Sequence, residues 1–391
     1  VIFRLVADRL AELGRAGLLR RRFAREGAQG ARIRVEGREY LAFCSNDYLG
    51  LASHPRIVEA AVDAALRHGV GQGASHLLSG HSALHERLES ALAEFVQAPR
   101  ALLFASGYQA NIGTVTALAG PGDTVFSDAL NHASLIDGVR LSRAEVVRYP
   151  HRDMDFLSQA LASSGGSTKL VVTDAVFSMD GDIAPIPALL ELCERHDALL
   201  VLDDAHGFGV LGPEGRGSAA HFAVRSPRIV YVGTLGKAAG VSGAFVAGSE
   251  EIVETVLQRA RTYIYTTASP AMLAAAVEVS VELIRKEEWR RERLRNLVSS
   301  LKQALHGTEA GLKPSETPIQ PVVLGANAKA LAASAALRAG GILVPAIRPP
   351  TVPEGTARLR ISLSAAHSEQ DVLRLGAALL EACRSDAEAH V

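Results

Sequence analysis

Leu199-Leu-Val-Leu-Asp-Asp-Ala-His-Gly207 and, one segment later, Ile229-Val-Tyr-Val-Gly-Thr-Leu-Gly-Lys-Ala-Ala-Gly240 decide how this chain folds. Each begins as a short, uninterrupted apolar run and ends in a turn of polar residues, small residues and glycine. A strand that is apolar on both faces must be covered on both, as inside a parallel sheet flanked by helices. The same texture recurs upstream at residues 101–104, 124–126, 145–147 and 170–172. Helical patterns lie between these runs. The fold class is therefore α/β, with a large, mostly parallel sheet. Ligands of such sheets collect beyond the carboxyl ends of the strands. The residues found there are Ser106-Gly-Tyr, Ser127-Asp, Asp174, Asp203-Asp and Gly233-Thr, mostly small or polar.

Outside this region the helix signals are amphipathic. Residues 55–68 start at Pro55 and put Ile57, Val58, Ala61, Val62, Ala65 and Leu66 on one face. Residues 82–96 repeat Leu84, Leu88, Leu92 and Phe95 behind Ser82 as N-cap, with His85 and Glu86 following it. The N-terminus carries Ile2, Leu5, Leu10 and Leu13 with Asp8 and Glu12 between them, an amphipathic helix and not a signal peptide. After about residue 285 the texture changes to a charged helix over 286–305, a turn-rich link over 307–318, and then short strands mixed with helices. The expected division is an N-terminal helical segment at 1–45, a large ligand-binding domain at 46–285, and a smaller C-terminal α+β domain at 286–391.

Composition narrows the function. The 391 residues are 48% hydrophobic and 21% charged, ordinary for a globular protein with a large core. A net charge of -1 favours neither nucleic acid nor an anionic membrane as partner. The most apolar stretch, 271–284, is interrupted by Glu278 and Glu282, so no membrane span is expected. Cys44, Cys193 and Cys383 are far apart and form no C-x-x-C, which fits a reducing cytoplasm and speaks against a disulfide framework or zinc site.

A lysine in isolation is usually a solvated surface residue, and an aspartate at a strand end is as often a cap as a functional acid. The company of Lys237 changes that reading. Gly236 and Gly240 let the backbone approach a ligand, and Thr234 offers a hydroxyl to a phosphate. Asp203 and His206 close the neighbouring run. Asp204 competes with Asp203, but strand alternation lets only one of the two face the site. An amine, an acid and an imidazole so placed suit pyridoxal 5'-phosphate (PLP). The lysine forms a Schiff base with its aldehyde, and the carboxylate keeps the ring nitrogen protonated so that the ring acts as an electron sink.

Other motifs carry weaker signals. Ser106-Gly-Tyr-Gln-Ala-Asn111 opens a helix after the run 101–104, and the N–H groups of Gly107 and Tyr108 suit a phosphate. Asn131-His-Ala-Ser134 offers His132 for stacking on a ring, although a lone histidine is more often structural. In Val176-Phe-Ser-Met-Asp-Gly-Asp182 the Ser178 hydroxyl could bind a ring oxygen. Asp180-Gly-Asp182 hints at a calcium loop but lacks the other oxygen ligands, so no metal is expected. Gly69-Val-Gly-Gln-Gly-Ala-Ser-His76 follows a helix and lacks the G-x-G-x-x-G spacing of a dinucleotide loop. Leu19-Arg-Arg-Arg22 reads as a solvated helix end, with Arg20 a candidate for binding a carboxylate.

Taken together, Ser45-Asn-Asp-Tyr-Leu-Gly-Leu51, His132, Val176–Asp182, Asp203-Asp-Ala-His-Gly207 and Thr234-Leu-Gly-Lys237 resemble the α-oxoamine synthases. These are PLP-dependent enzymes of the aspartate-aminotransferase fold (fold type I). Ala346-Ile-Arg-Pro-Pro-Thr-Val-Pro-Glu-Gly-Thr-Ala-Arg-Leu-Arg360 resembles the biotin-pathway branch of that family, and the resemblance runs essentially end to end. It implies Lys237, His132 and Asp203 as catalytic residues. It also implies a cofactor set of Gly107, Tyr108, His132, Ser178, Asp203, His206, Thr234 and Lys237. For substrate, the resemblance implies Asn46 and Arg348 at the amino-acid carboxylate, Arg20 and Thr351 on the acyl side, and His132. Asp174 stands where the biotin-pathway pattern has glutamate, and Ala74-Ser-His76 departs from its usual Gly-Ser.

The implied reaction is the decarboxylative condensation of L-alanine with pimeloyl-CoA or a pimeloyl-acyl carrier protein, in a cytoplasmic homodimer. A sister reaction of the same family, joining glycine to acetyl-CoA, is the alternative. A non-catalytic protein reusing a PLP fold is disfavoured by the intact Lys237, Asp203 and His206.

Overall fold

The computed structural model describes residues 2–308 and 312–388. The chain forms two compact units, one made of Leu49–Ser178 and Asp182–Arg291, the other of Val1–Tyr48, Met179–Gly181 and Glu292–Val391. The larger unit is built on a seven-stranded sheet. Its strands are β1 (Arg100–Phe104), β2 (Thr124–Asp128), β3 (Glu145–Tyr149), β4 (Lys169–Asp174), β5 (Ala198–Asp203), β6 (Ile229–Thr234) and β7 (Ala244–Gly248). Their order across the sheet is β1-β7-β6-β5-β4-β2-β3. Neighbours from β6 to β3 pair in parallel, whereas β7 runs antiparallel to both β6 and β1.

The six runs expected from the sequence are six of these strands. β7 is the addition: the segment between β6 and β7 is too short for a crossover helix, so the chain turns back antiparallel. Leu170, Val172, Val201, Val230, Val232 and Val246 are buried inside the sheet, as two-sided coverage requires. In the pairing of β4 with β5, Asp174 lies opposite Asp203, which brings two carboxylates to the same edge.

Helices Pro55–His68 and Ala83–Val96 form where the apolar periodicity placed them. Ser82 and His85 make a reciprocal capping box, the histidine taking the part usually played by glutamate. The charged helix expected over 286–305 is Glu288–Ala304, and Lys286 instead ends the preceding helix, Ala271–Lys286.

The smaller unit also corrects the expected division. Residues 1–45 are not a separate helical segment. After helix Ile2–Arg15 come strands Arg25–Glu26, Arg32–Val35 and Arg38–Ala42. The last of these pairs in parallel with Ile342–Leu343, which ties the N-terminal residues to the C-terminal ones in one unit. A second, three-stranded sheet joins Ile319–Gly325, Ala357–Ser362 and Ala346–Ile347. Among the described residues no helix is long and apolar enough to cross a membrane.

Candidate active site

The carboxyl edge of the large sheet gathers most of the residues singled out above. Asp203 ends β5 and is buried; its Oδ1 accepts the Ala205 N–H at 3.0 Å, and its Oδ2 accepts from Asn111 Nδ2 at 2.6 Å. The turn that follows brings His206 Nε2 to 3.1 Å from Lys237 Nζ. Lys237 sits in a tight loop after β6, in which Gly240 N–H donates to the Lys237 carbonyl and Val241 N–H to that of Leu235. Gly240 has φ 70°, and a Cβ there would lie 2.5 Å from the Ala52 nitrogen. The loop that presents the amine therefore needs glycine on both counts.

Gly107 and Thr234 lie side by side. A Cβ on Gly107 would approach Thr234 Cγ2 to 2.6 Å, so the start of helix Gly107–Leu118 packs directly against the end of β6. Ser106 caps this helix by accepting from Gln109 N–H. The N–H groups of a first turn have no partner within their helix. Beside a hydroxyl, they make a cradle for an anion. Thr234 is buried and its hydroxyl donates to the Ala205 carbonyl at 3.3 Å. Tyr108 is exposed and donates through its hydroxyl to Asp137.

His132 begins the helix after β2. Its backbone N–H donates to Asp174 Oδ2 at 2.7 Å, and Asp174 N–H in turn donates to Asn131 Oδ1 at 3.0 Å. The aspartate found in place of glutamate thus anchors the His132 turn. Burial first, and then the neighbouring Asp203, push the Asp174 carboxyl well above its ordinary range. His132 is exposed as a residue. The protein packed behind it still withdraws enough water to lower its pKa; Asp203 opposes this shift and Lys237 reinforces it. Ser178 is half-buried at the end of the segment that follows β4.

Arg20, Asn46, Arg348 and Thr351 all belong to the smaller unit. Arg20, Arg348 and Thr351 line one small cavity, and Arg348 donates to the Gly17 carbonyl. Asn46 stands apart from them: its Oδ1 accepts from the Tyr48 hydroxyl and from Arg360 Nη1, each at 3.2 Å. The two carboxylates of Asp180-Gly-Asp182 are met by cations. Asp180 pairs with Arg358 and Lys313, and Asp182 with His151 and Arg152.

Sequence reasoning missed Asn111, Ser134 and Arg360. Asn111 is a buried amide inside an apolar helix, and a buried amide needs partners. Arg360 lies on a strand buried along its whole length, an equally legible anomaly. Together the larger unit's residues offer an anion cradle, a buried acid, an imidazole and an amine. That set fits a phosphorylated aromatic aldehyde.

Comparison with known proteins agrees with this reading. Residues 38–379 match the model of the aminotransferase class I and II family. An 8-amino-7-oxononanoate synthase from Nitrosospira multiformis is 62% identical over 372 residues, covering 95% of this chain and 94% of that protein. Among solved structures, a serine palmitoyltransferase variant from S. paucimobilis with a bound PLP–myriocin aldimine superposes with a TM-score of 0.92 at 30% identity. That match covers 98% of this chain and 97% of the other. An 8-amino-7-oxononanoate synthase from Francisella tularensis superposes with a TM-score of 0.77 at 30% identity, covering 89% and 99%.

Proposed function

The chain belongs to the aminotransferase class I and II family and, within it, to the 8-amino-7-oxononanoate synthases, and we propose on that basis that it condenses L-alanine with a pimeloyl thioester. The products are 8-amino-7-oxononanoate, carbon dioxide and the free thiol, a step of biotin biosynthesis. It is a PLP-dependent enzyme of fold type I. When bound, PLP supplies an electron sink for negative charge at the amino-acid Cα.

The chain's own residues take the remaining tasks. Asp203 is assigned to the ring nitrogen, His206 and Ser178 to the ring oxygen, Thr234 with the Gly107 and Tyr108 amides to the phosphate, and His132 to the ring face. The observation that carries the chemistry is the 3.1 Å approach of Lys237 Nζ to His206 Nε2 beside the buried Asp203. Lys237 Nζ serves as the base that takes the Cα proton, and Lys237 or His132 returns a proton after carbon dioxide leaves. Burial keeps water from Asp203, so its charge acts at short range and with little screening. Asn46 and Arg348 are assigned to the amino-acid carboxylate, and Arg20 and Thr351 to the acyl chain.

A homodimer in the cytoplasm completes the reading. Three cysteines far apart in the chain, without a C-x-x-C pattern, fit that compartment.

The test is initial rates for L-alanine and glycine against pimeloyl-, acetyl-, succinyl- and palmitoyl-CoA, with pimeloyl-acyl carrier protein as a further donor. L-Alanine with a pimeloyl donor should be fastest. If glycine with acetyl-CoA outpaces it, the sister reaction replaces this one.

A further inference from the structure

Four residues of the larger unit form an unbroken hydrogen-bonded line: Asp203, Asn111, Ser134 and His132. Asn111 Nδ2 lies 2.6 Å from Asp203 Oδ2 and 2.8 Å from Ser134 Oγ, and Ser134 Oγ lies 2.7 Å from His132 Nδ1. Its polarity is set at the Asp203 end by donor and acceptor chemistry and at the His132 end by a backbone N–H. A carboxylate oxygen accepts, so the atom of Asn111 that meets Asp203 is the amide nitrogen; turning the amide over would set two acceptors 2.6 Å apart. One N–H of that nitrogen goes to Asp203 and the other to Ser134 Oγ. The serine oxygen accepts there, which leaves its own proton for His132 Nδ1. An independent contact agrees: the Ser134 backbone N–H, which can only donate, also points at His132 Nδ1, at 3.3 Å.

We propose that Asn111 and Ser134 are positioning residues that hold His132 in the tautomer protonated at Nε2 while fixing the Asp203 carboxylate. Two donors converge on Nδ1, so a proton there would break both hydrogen bonds. The neutral ring then presents Nε2–H, which lies in the ring plane, as a donor. Asn111 Oδ1 is buried and has no hydrogen-bond partner among the described residues. Leaving a buried acceptor unpaired is destabilising. The side chain bears that cost with both of its N–H groups committed, as a residue selected for donation would. Ser134 and Asn111 are themselves fully buried, so the line is shielded from water that could scramble its direction.

This inference rests on the proposed function only for placing His132 at the reacting centre, and its first test needs no turnover. In wild-type holoenzyme labelled with nitrogen-15 histidine, the His132 signals are identified by their loss in His132→Gln. Protonated and unprotonated ring nitrogens resonate far apart. Nδ1 should carry the unprotonated signal and Nε2 the protonated one; the reverse pattern overturns the proposal whatever substrate the enzyme uses.

The second test pairs Ser134→Ala with Ser134→Thr. The alanine variant should fold and bind PLP with a lowered melting temperature, because it leaves a buried amide proton unpaired, and should give a mixed tautomer signal and lose about 10²-fold in kcat with little change in KM. Threonine, which keeps the hydroxyl, should restore both. Unchanged kcat and tautomer in the alanine variant would remove Ser134 from this role.

Discussion

Asp203 and Asp204 are adjacent, both buried, and differ in everything their carboxylates touch. Asp203 is held by Asn111 and its own turn, at the edge where Lys237 and His206 meet. Asp204 faces the other way: it accepts from Ser218 N–H at 2.6 Å, from the Tyr231 hydroxyl at 2.8 Å and from the Ser218 hydroxyl. Burial raises its pKa to about 6, against the lowering pull of those donors. The two substitutions should therefore separate activity from stability. Asp203→Asn should lower kcat by at least about 10²-fold, the scale of losing a fixed charged group at a reacting centre. Asp204→Asn should leave most of the activity and lose about 1–3 kcal/mol of stability, because it mismatches buried donors. Parallel rate and denaturation measurements decide it, and the opposite order would mean that Asp204 is the acid of the site. Alternation along β5 said that only one of the pair could face the ligand, but left the choice to the resemblance. Three hydrogen bonds from Ser218 and Tyr231 supply the physical reason.

Between elements, His151 works as a clamp. It follows β3 and bonds through Nδ1 to Asp128 at the end of β2 (3.0 Å) and through Nε2 to Asp182 beyond β4 (2.9 Å). Its ring meets the edge of Phe177 at 4.4 Å. Burial works against its charge, but the two carboxylates outweigh burial and raise its pKa to about 9. A histidine whose folded pKa exceeds its unfolded value of 6.5 contributes stability that is fully present below pH 6.5 and is lost as pH rises through about 9. Melting temperature should therefore decline over that window in the wild type and decline less in His151→Gln. The difference should be about 1–2 kcal/mol, after allowing for screening of a partly solvated ring. Parallel curves for the two proteins across that window would remove the clamp from the stability of the sheet edge. None of this was visible in the motif Asp180-Gly-Asp182, where sequence offered only a calcium loop to reject. The histidine that engages its second acid lies on another strand's turn.

At the scale of the whole molecule, the first helix exposes its apolar residues among the described ones. Helix Ile2–Arg15 has no buried residue, and Ile2, Phe3, Leu5, Val6, Leu10 and Leu13 are all exposed. An apolar stripe of that length in water marks a surface meant for contact. Sedimentation equilibrium should give twice the 41.3 kDa mass of one chain, and Phe3→Glu with Leu10→Glu should weaken that association. A wild-type mass of one chain at micromolar concentration would defeat the homodimer reading.

Much of this protein was legible in its sequence because the deciding signals are local. Apolar runs without alternation mark buried parallel strands within a few residues, and the polar turns that end them mark where a ligand gathers. Lys237 and Thr234 follow one such run, Asp203 and His206 a second and Gly107 a third, so the sequence itself carries them to one edge of the sheet. What tertiary structure alone decided depends on residues far apart in the chain. The N-terminal segment joins the C-terminal unit through the pairing of Arg38–Ala42 with Ile342–Leu343, and no local pattern at either end announces that partner. Asp174 anchors His132 because β4 lies next to β2, and Asn111 reaches Asp203 because the helix after β1 crosses to the end of β5. A side chain's residue type fixes what it can donate or accept. Which donor it meets is set by the packing of strands and helices that the sequence lists one after another.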